Sequence, residues 1–151
     1  MKIIGVGNER RGDDAIGVQI ARKIQSHELP GVSVEILKGD GSQLLELWKG
    51  CEHVVLVDCA YSGAQPGTIH RLRVSEKTLP FHLFSSSTHS FGIAEAIELA
   101  RVLGDLPPVV DVYAIEGDHF FPDSPVCPKV EAAATQVTEE ILATLLSLSE
   151  I

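Results

Sequence analysis

Short apolar runs alternate along this chain with segments in which apolar residues recur every three or four positions. The short runs are typical of buried strands, and the longer period is typical of helices that bury one face. Residues 54–57 form one such aliphatic run, and Ile16, Ile20 and Ile24 form one such helical stripe. The pattern predicts strands at 3–6, 32–37, 54–57, 68–74 and 109–115, and helices at 16–25, 43–48, 93–103 and 128–148.

This order of elements predicts an α/β fold, a three-layer sandwich with a mainly parallel, twisted sheet of about five strands and helices on both faces. The segment 68–74 differs from the other strands because its alternation breaks at Arg71 and Leu72. We therefore expect a partly exposed edge strand that runs antiparallel to its neighbour. Since a chain of 151 residues, 44% of them hydrophobic, can bury one core, residues 1–151 are expected to form a single domain.

The charge balance disfavours nucleic acid as a partner. Acidic residues outnumber basic ones 21 to 12, which gives a formal net charge of -9. Nucleic-acid binding through phosphates needs clustered Lys and Arg, and the chain has no such cluster. Its apolar runs are far shorter than the ~20 residues of a membrane span, and its first residues lack the features of a signal peptide. We expect a cytoplasmic protein, acting as a monomer, that binds neither nucleic acid nor membranes.

The cysteines do not indicate a disulfide-bonded protein. Cys51, Cys59 and Cys127 are odd in number and widely spaced, and they include no C-x-x-C pair. Such spacing disfavours both a disulfide framework and a structural zinc site. Free buried thiols are the simpler interpretation.

Polar residues cluster at the predicted carboxyl ends of the strands, where open α/β sheets form their sites. Asp13 and Asp14 follow the first strand, Asp58 ends the third, His89 immediately precedes a helix, and the last strand is followed by Glu116, Asp118 and His119. Asp14, Asp58 and His89 could converge as ligands of one metal ion. This set of oxygen and nitrogen donors suits a divalent ion such as nickel or zinc. Only three protein ligands would leave coordination positions open for substrate or water.

Each of these residues also has a simpler interpretation. Asp13 or Asp14 could cap the helix that follows them, and His89 could have a structural role at the start of its helix. His119 is either a further polar contributor or a loop residue. Asp58 has the stronger case for function, because packing poorly explains a carboxylate that closes an aliphatic strand.

Two familiar motifs are incomplete. Gly5 and Gly7 begin like the dinucleotide fingerprint G-x-G-x-x-G, but Arg10 stands where the third glycine belongs. The acids at 13–14 would also repel a pyrophosphate. The chain contains neither a phosphate-binding P-loop nor a G-x-S-x-G motif. A nucleotide-binding α/β enzyme is therefore only a second alternative.

Four segments, taken together, carry a more specific signal. They are 5–8 with 13–17 (GVGN and DDAIG), 57–60 with 66–68 (VDCA and PGT), 87–92 (STHSFG), and the closing amphipathic helix. In content and order they resemble the hydrogenase maturation endopeptidases. That family removes a C-terminal extension from the precursor of the large subunit of nickel-iron hydrogenase.

The resemblance implies a metal-dependent endopeptidase whose catalytic, metal-contacting positions fall on Asp14, Asp58 and His89. It also implies that the nickel is supplied by the precursor and serves as the recognition mark, so that the cut follows nickel insertion. The loops at 38–42 and 116–119 depart from the family pattern and are expected to select the precursor. The main alternative, with the same ligands, is a non-proteolytic metal carrier or accessory module that docks a nickel protein.

Overall fold

The computed structural model describes residues 1–38, 40–78, 80, 83 and 92–149. In chain order the elements are β1 (Lys2–Val6), a 3-10 helix (Gly12–Ala15), α1 (Ile16–Ser26), β2 (Ser33–Leu37), α2 (Gly41–Leu47), β3 (His53–Ala60), β4 (Ile69–Arg73), α3 (Ile93–Leu103), β5 (Val109–Glu116) and α4 (Pro128–Ser149).

The strands form a single five-stranded sheet in the order β2-β1-β3-β5-β4. The β1–β2, β1–β3 and β3–β5 pairs are parallel, whereas β4 pairs antiparallel with β5 and lies at the edge. This confirms the predicted sheet and its antiparallel edge strand. Within the described part of the chain, no helix is both long enough and apolar enough to cross a membrane.

Helices cover both faces of the sheet, as predicted. Successive side chains of a strand point to opposite faces, so Ile4 and Leu56 pack against α2 and α3, whereas Ile3 and Val57 pack against α1 and α4. The central strands are apolar on both faces because both faces are buried.

Strand β3 is longer than the sequence predicts. The aliphatic run ends at residue 57, but the strand continues through Asp58, Cys59 and Ala60, which pair with the last three residues of β5. Asp58 is therefore inside the strand, near its carboxyl end. Apolar pattern alone does not reveal this, because the extension depends on a partner strand of eight residues.

Two glycines allow α1 to lie directly on the sheet. A Cβ atom on Gly17 would be 2.3 Å from the carbonyl oxygen of Val57, and one on Gly5 would be 2.5 Å from the carbonyl oxygen of Gly17. At Gly7, where φ is +143°, a Cβ atom would be 1.9 Å from the carbonyl oxygen of Asp14. The glycines that resemble a dinucleotide fingerprint thus allow the segment carrying Asp14 to approach the ends of β1 and β3.

Candidate active site

The candidate site lies where the strand order changes direction. From β1 the chain crosses by α1 to β2 on one side, and β3 lies on the other side of β1. The carboxyl ends of β1 and β3 therefore flank a topological switch point, the usual position of a site in such a sheet. The structure places both Asp14 and Asp58 at this edge.

Asp14 is half-buried and is held at both carboxylate oxygens. Its Oδ2 accepts a hydrogen bond of 2.9 Å from the backbone N–H of Asn8, and its Oδ1 accepts one of 2.9 Å from the Tyr61 hydroxyl. The prediction that Asp13 or Asp14 caps the following helix is wrong. Helix α1 begins after Ala15 without a side-chain cap, and both carboxylates are bonded elsewhere.

Asp58 is 8% exposed, and its Oδ1 accepts a 2.7 Å hydrogen bond from the N–H of Cys59. Burial raises the pKa of the Asp58 carboxyl well above its ordinary value, the Cys59 N–H partly offsets this, and the charge of Asp14 raises it further. The charge of Asp14 therefore acts on the buried Asp58 carboxyl. A divalent cation between them would relieve both the burial of charge and the repulsion.

The third predicted ligand, His89, lies outside the described residues, as does most of its 87–92 segment. Among the residues that the structure does describe, no group of three or more His, Cys, Asp or Glu side chains could hold a metal ion. The predicted ligand set accordingly remains a prediction, of which the structure places two members at one edge.

Residues 40–42, at the end of the loop at 38–42, lead into α2. Asp40 caps α2, since its Oδ1 accepts bonds from the Ser42 N–H at 3.0 Å and the Ser42 hydroxyl at 2.7 Å. A Cβ atom on Gly41 would be 2.2 Å from the carbonyl oxygen of Gly92. The end of this loop therefore contacts the residue that precedes α3.

Asp13 has a different role from its neighbour. It is 0% exposed, and it accepts three backbone hydrogen bonds, from Asp118 at 2.7 Å, His119 at 2.8 Å and Cys127 at 2.7 Å. These bonds tie the irregular segment after β5 to the loop after β1. Asp118 and His119 contribute their backbone here, while their side chains are exposed.

A third buried carboxylate, Glu116, organises the adjacent strand ends. It is 1% exposed, and its Oε1 accepts from the Ser62 N–H at 3.0 Å, from the Ser62 hydroxyl, and from His70 Nε2 at 3.1 Å. The sequence pattern assigned no role to Ser62 or His70, because each lies far from Glu116 in the chain. Tyr61 was missed for the same reason.

The prediction of free buried thiols is confirmed for Cys59, while Cys51 and Cys127 are free but not fully buried. Cys59 is fully buried beside Asp58, whereas Cys51 and Cys127 are only partly buried. Burial, followed by the charge of Asp58 and neighbouring acids, raises the pKa of the Cys59 thiol. Cys59 is therefore a packing residue and not a nucleophile.

A cleft of about 580 Å³ opens between the loop after β1 and the end of β2, and its wall includes Asn8, whose N–H is bonded to Asp14. The described residues that line it are Gly7, Asn8, Glu9, Arg10, Ile36 and Lys38. Glu9 is paired with Arg22 at 2.5 Å, so Arg10 and Lys38 supply the remaining charge of the lining.

Comparison with known proteins gives consistent matches over nearly the whole chain. The family model of the hydrogenase maturation protease HycI matches residues 14–144. The hydrogenase 2 maturation protease of Escherichia coli K12 is 30% identical over 148 residues, 95% of this chain and 88% of that protein. The structure of the hydrogenase maturating endopeptidase HybD from E. coli superposes with a TM-score of 0.75 at 28% identity, covering 97% of this chain and 91% of the other. For the [NiFe] hydrogenase maturation protease HybD of Thermococcus kodakarensis the TM-score is 0.73 at 19% identity, over 95% and 97% of the two chains, which shows a shared fold.

Proposed function

This chain belongs to the hydrogenase maturation protease family, and we propose that it removes the C-terminal extension of a nickel-iron hydrogenase large-subunit precursor after nickel has been inserted. Membership makes it a hydrolase that acts in hydrogenase maturation. The observation that carries the finer proposal is the pair of carboxylates, Asp14 and Asp58, at the switch point of the sheet.

The chemistry of this pair suits contact with a metal ion held by the substrate. Asp14 and Asp58 supply two oxygen donors whose mutual repulsion a divalent cation would remove. We propose His89 as the third contact, since carboxylate and imidazole donors together suit nickel. Three protein ligands leave coordination positions for the groups by which the precursor holds its nickel. A precursor without nickel would bring no cation to this site, so its processing would wait for nickel loading.

The peptide chain of the precursor would enter along the cleft beside Asp14. The cleft is lined in part by Asn8, whose N–H is bonded to Asp14, so a peptide bound there would lie near this carboxylate. Either carboxylate has the chemistry to accept the proton of an attacking water. The loops at 38–42 and 116–119 flank this edge and are our candidates for selecting one precursor over another.

Incubation of the protein with a nickel-loaded precursor, followed by mass spectrometry, tests the proposal. We expect a single loss of mass from the C-terminus of the precursor. Asp58→Asn should abolish this loss with the fold retained, because the amide oxygen can still accept from the Cys59 N–H.

Asp111→Asn is a matched control, since Asp111 lies on the same sheet near the amino end of β5 and is bonded to Arg73 and His53. It should process the precursor at the normal rate. Full processing by the Asp58 variant would remove Asp58 from the mechanism. If the wild-type protein bound the precursor without any loss of mass, the protein would be a carrier and not a protease.

A further inference from the structure

Tyr61 is the first residue after β3, and its hydroxyl reaches across the switch point to Asp14. The hydroxyl donates a 2.9 Å hydrogen bond to Oδ1 of Asp14, and the N–H of Asn8 donates a 2.9 Å bond to Oδ2. With one donor at each oxygen, the plane of the carboxylate is fixed. An ionised carboxylate has about four acceptor positions, so two of them stay available for a cation.

The tyrosine itself is held from three directions. Its ring packs on Phe120 with centroids 4.3 Å apart and planes tilted by 31°. Its N–H donates to the carbonyl oxygen of Leu83 at 2.8 Å. The next residue, Ser62, donates from its N–H and its hydroxyl to the buried carboxylate of Glu116. The position of the phenol oxygen is thus determined by the surrounding structure.

Packing alone does not require this hydroxyl. A phenylalanine ring would fill the same space against Phe120, and partly burying a hydroxyl is unfavourable unless it finds a partner. Its partner is one of the two carboxylates at the site. The hydrogen bond joins the end of β3 to the segment after β1, which are the two chain segments that carry Asp58 and Asp14.

We propose that Tyr61 is a positioning residue, whose hydroxyl orients the Asp14 carboxylate for contact with the nickel of the precursor. This inference rests on the proposed function. Hydrogen-bond partners of metal ligands commonly contribute about 10–100-fold to metal affinity or activity. Tyr61 is therefore expected to act through Asp14 without touching the substrate itself.

The test replaces Tyr61 by phenylalanine, with Tyr113→Phe as the matched control. Tyr113 is also a half-buried tyrosine of the sheet, but it lies in the middle of β5 and packs towards the α4 side. Two quantities are measured for each protein: kcat/KM on the nickel-loaded precursor, and the dissociation constant for Ni²⁺ alone, from the rise of Tm with nickel chloride concentration.

For Tyr61→Phe we expect kcat/KM to fall and the dissociation constant for Ni²⁺ to rise, each by about 10–100-fold. The Tm without nickel should stay close to the wild-type value. Tyr113→Phe should match the wild-type protein in both measurements. A role in packing would lower Tm and leave the nickel affinity unchanged.

Wild-type values of kcat/KM and nickel affinity in Tyr61→Phe would overturn the inference and leave the proposed function intact. A loss of activity with unchanged nickel affinity would also overturn it. If the wild-type protein neither processed the precursor nor responded to nickel, the proposed function would fail, and this inference with it.

Discussion

Asp13 and Asp14 are adjacent in the chain, yet the structure predicts opposite consequences for their replacement by asparagine. Asp13 is fully buried and accepts three backbone hydrogen bonds of 2.7–2.8 Å. Asp14 is half-buried at the candidate site, and its donors are Asn8 and Tyr61. We expect Asp13→Asn to destabilise the fold and Asp14→Asn to abolish activity.

The magnitude for Asp13→Asn follows from its donors. An asparagine keeps one acceptor oxygen, and its NH₂ group must face at least one backbone N–H, most favourably that of Cys127. One charge-assisted bond is lost, worth about 1.5–3 kcal/mol, and the remaining two are weakened because the acceptor is neutral. We therefore expect a loss of about 2–3 kcal/mol from a total of roughly 5–15. For a domain of this size that lowers Tm by about 4–12 °C.

For Asp14→Asn we expect a small loss of stability and a large loss of activity. One asparagine oxygen can keep either bond, and the other donor can turn to water at this half-buried position, so the cost in stability is under about 1 kcal/mol. If Asp14 contacts the metal as we propose, loss of its carboxylate should reduce processing by at least about 100-fold, the upper range for outer-shell partners.

The assay is urea unfolding of both variants beside a precursor-processing assay. The single tryptophan, Trp48, is buried against the α2 and α3 layer and reports unfolding by its fluorescence. If Asp13→Asn were within about 0.5 kcal/mol of wild type, the usual range of surface substitutions, the reasoning would be refuted. The same holds if Asp14→Asn lost as much stability as Asp13→Asn.

Three further predictions concern the sheet. Gly17→Ala should lower the free energy of unfolding in urea by about 2–3 kcal/mol, because its Cβ would lie 2.3 Å from a backbone oxygen of β3; a neutral result would contradict the close packing. Burial alone would raise the pKa of Asp111, but hydrogen bonds from Arg73 and His53 outweigh burial and lower the pKa. The ionised carboxylate therefore stabilises the fold at neutral pH, and this stabilisation is lost as the pH falls below about 3.8. Asp111→Asn should therefore be about 1 kcal/mol less stable than wild type at pH 7. In urea titrations this difference in stability should shrink towards pH 3, and a difference that stays constant with pH would contradict the assigned role of the carboxylate. In the native protein, a thiol reagent should modify Cys59 far more slowly than the other two cysteines, as measured by peptide mapping. Equal rates of modification would show that Cys59 is not buried.

Apolar periodicity was sufficient to predict the α/β sandwich, because it directly reflects which faces are buried. It also predicted the antiparallel edge strand, whose pattern breaks at Arg71. The placement of Asp14 and Asp58 at one edge followed from the rule that sites form at the carboxyl ends of parallel strands.

Roles that depend on distant partners could not be predicted. The donors to Asp13 are 105, 106 and 114 positions away in the chain, so its sequence neighbourhood indicates only a helix cap. Ser62 lies 54 positions from Glu116, and Tyr61 lies 47 positions from Asp14. Such contacts form only when the strands are assembled, and no local pattern records them.

We propose that the precursor's own nickel is the mark for cleavage. The most direct measurement compares nickel-loaded and nickel-free forms of the same large-subunit precursor, incubated with the wild-type protein and followed by intact mass. Only the loaded form is expected to lose its C-terminal extension, in a single cut. Equal cleavage of the two forms would contradict it.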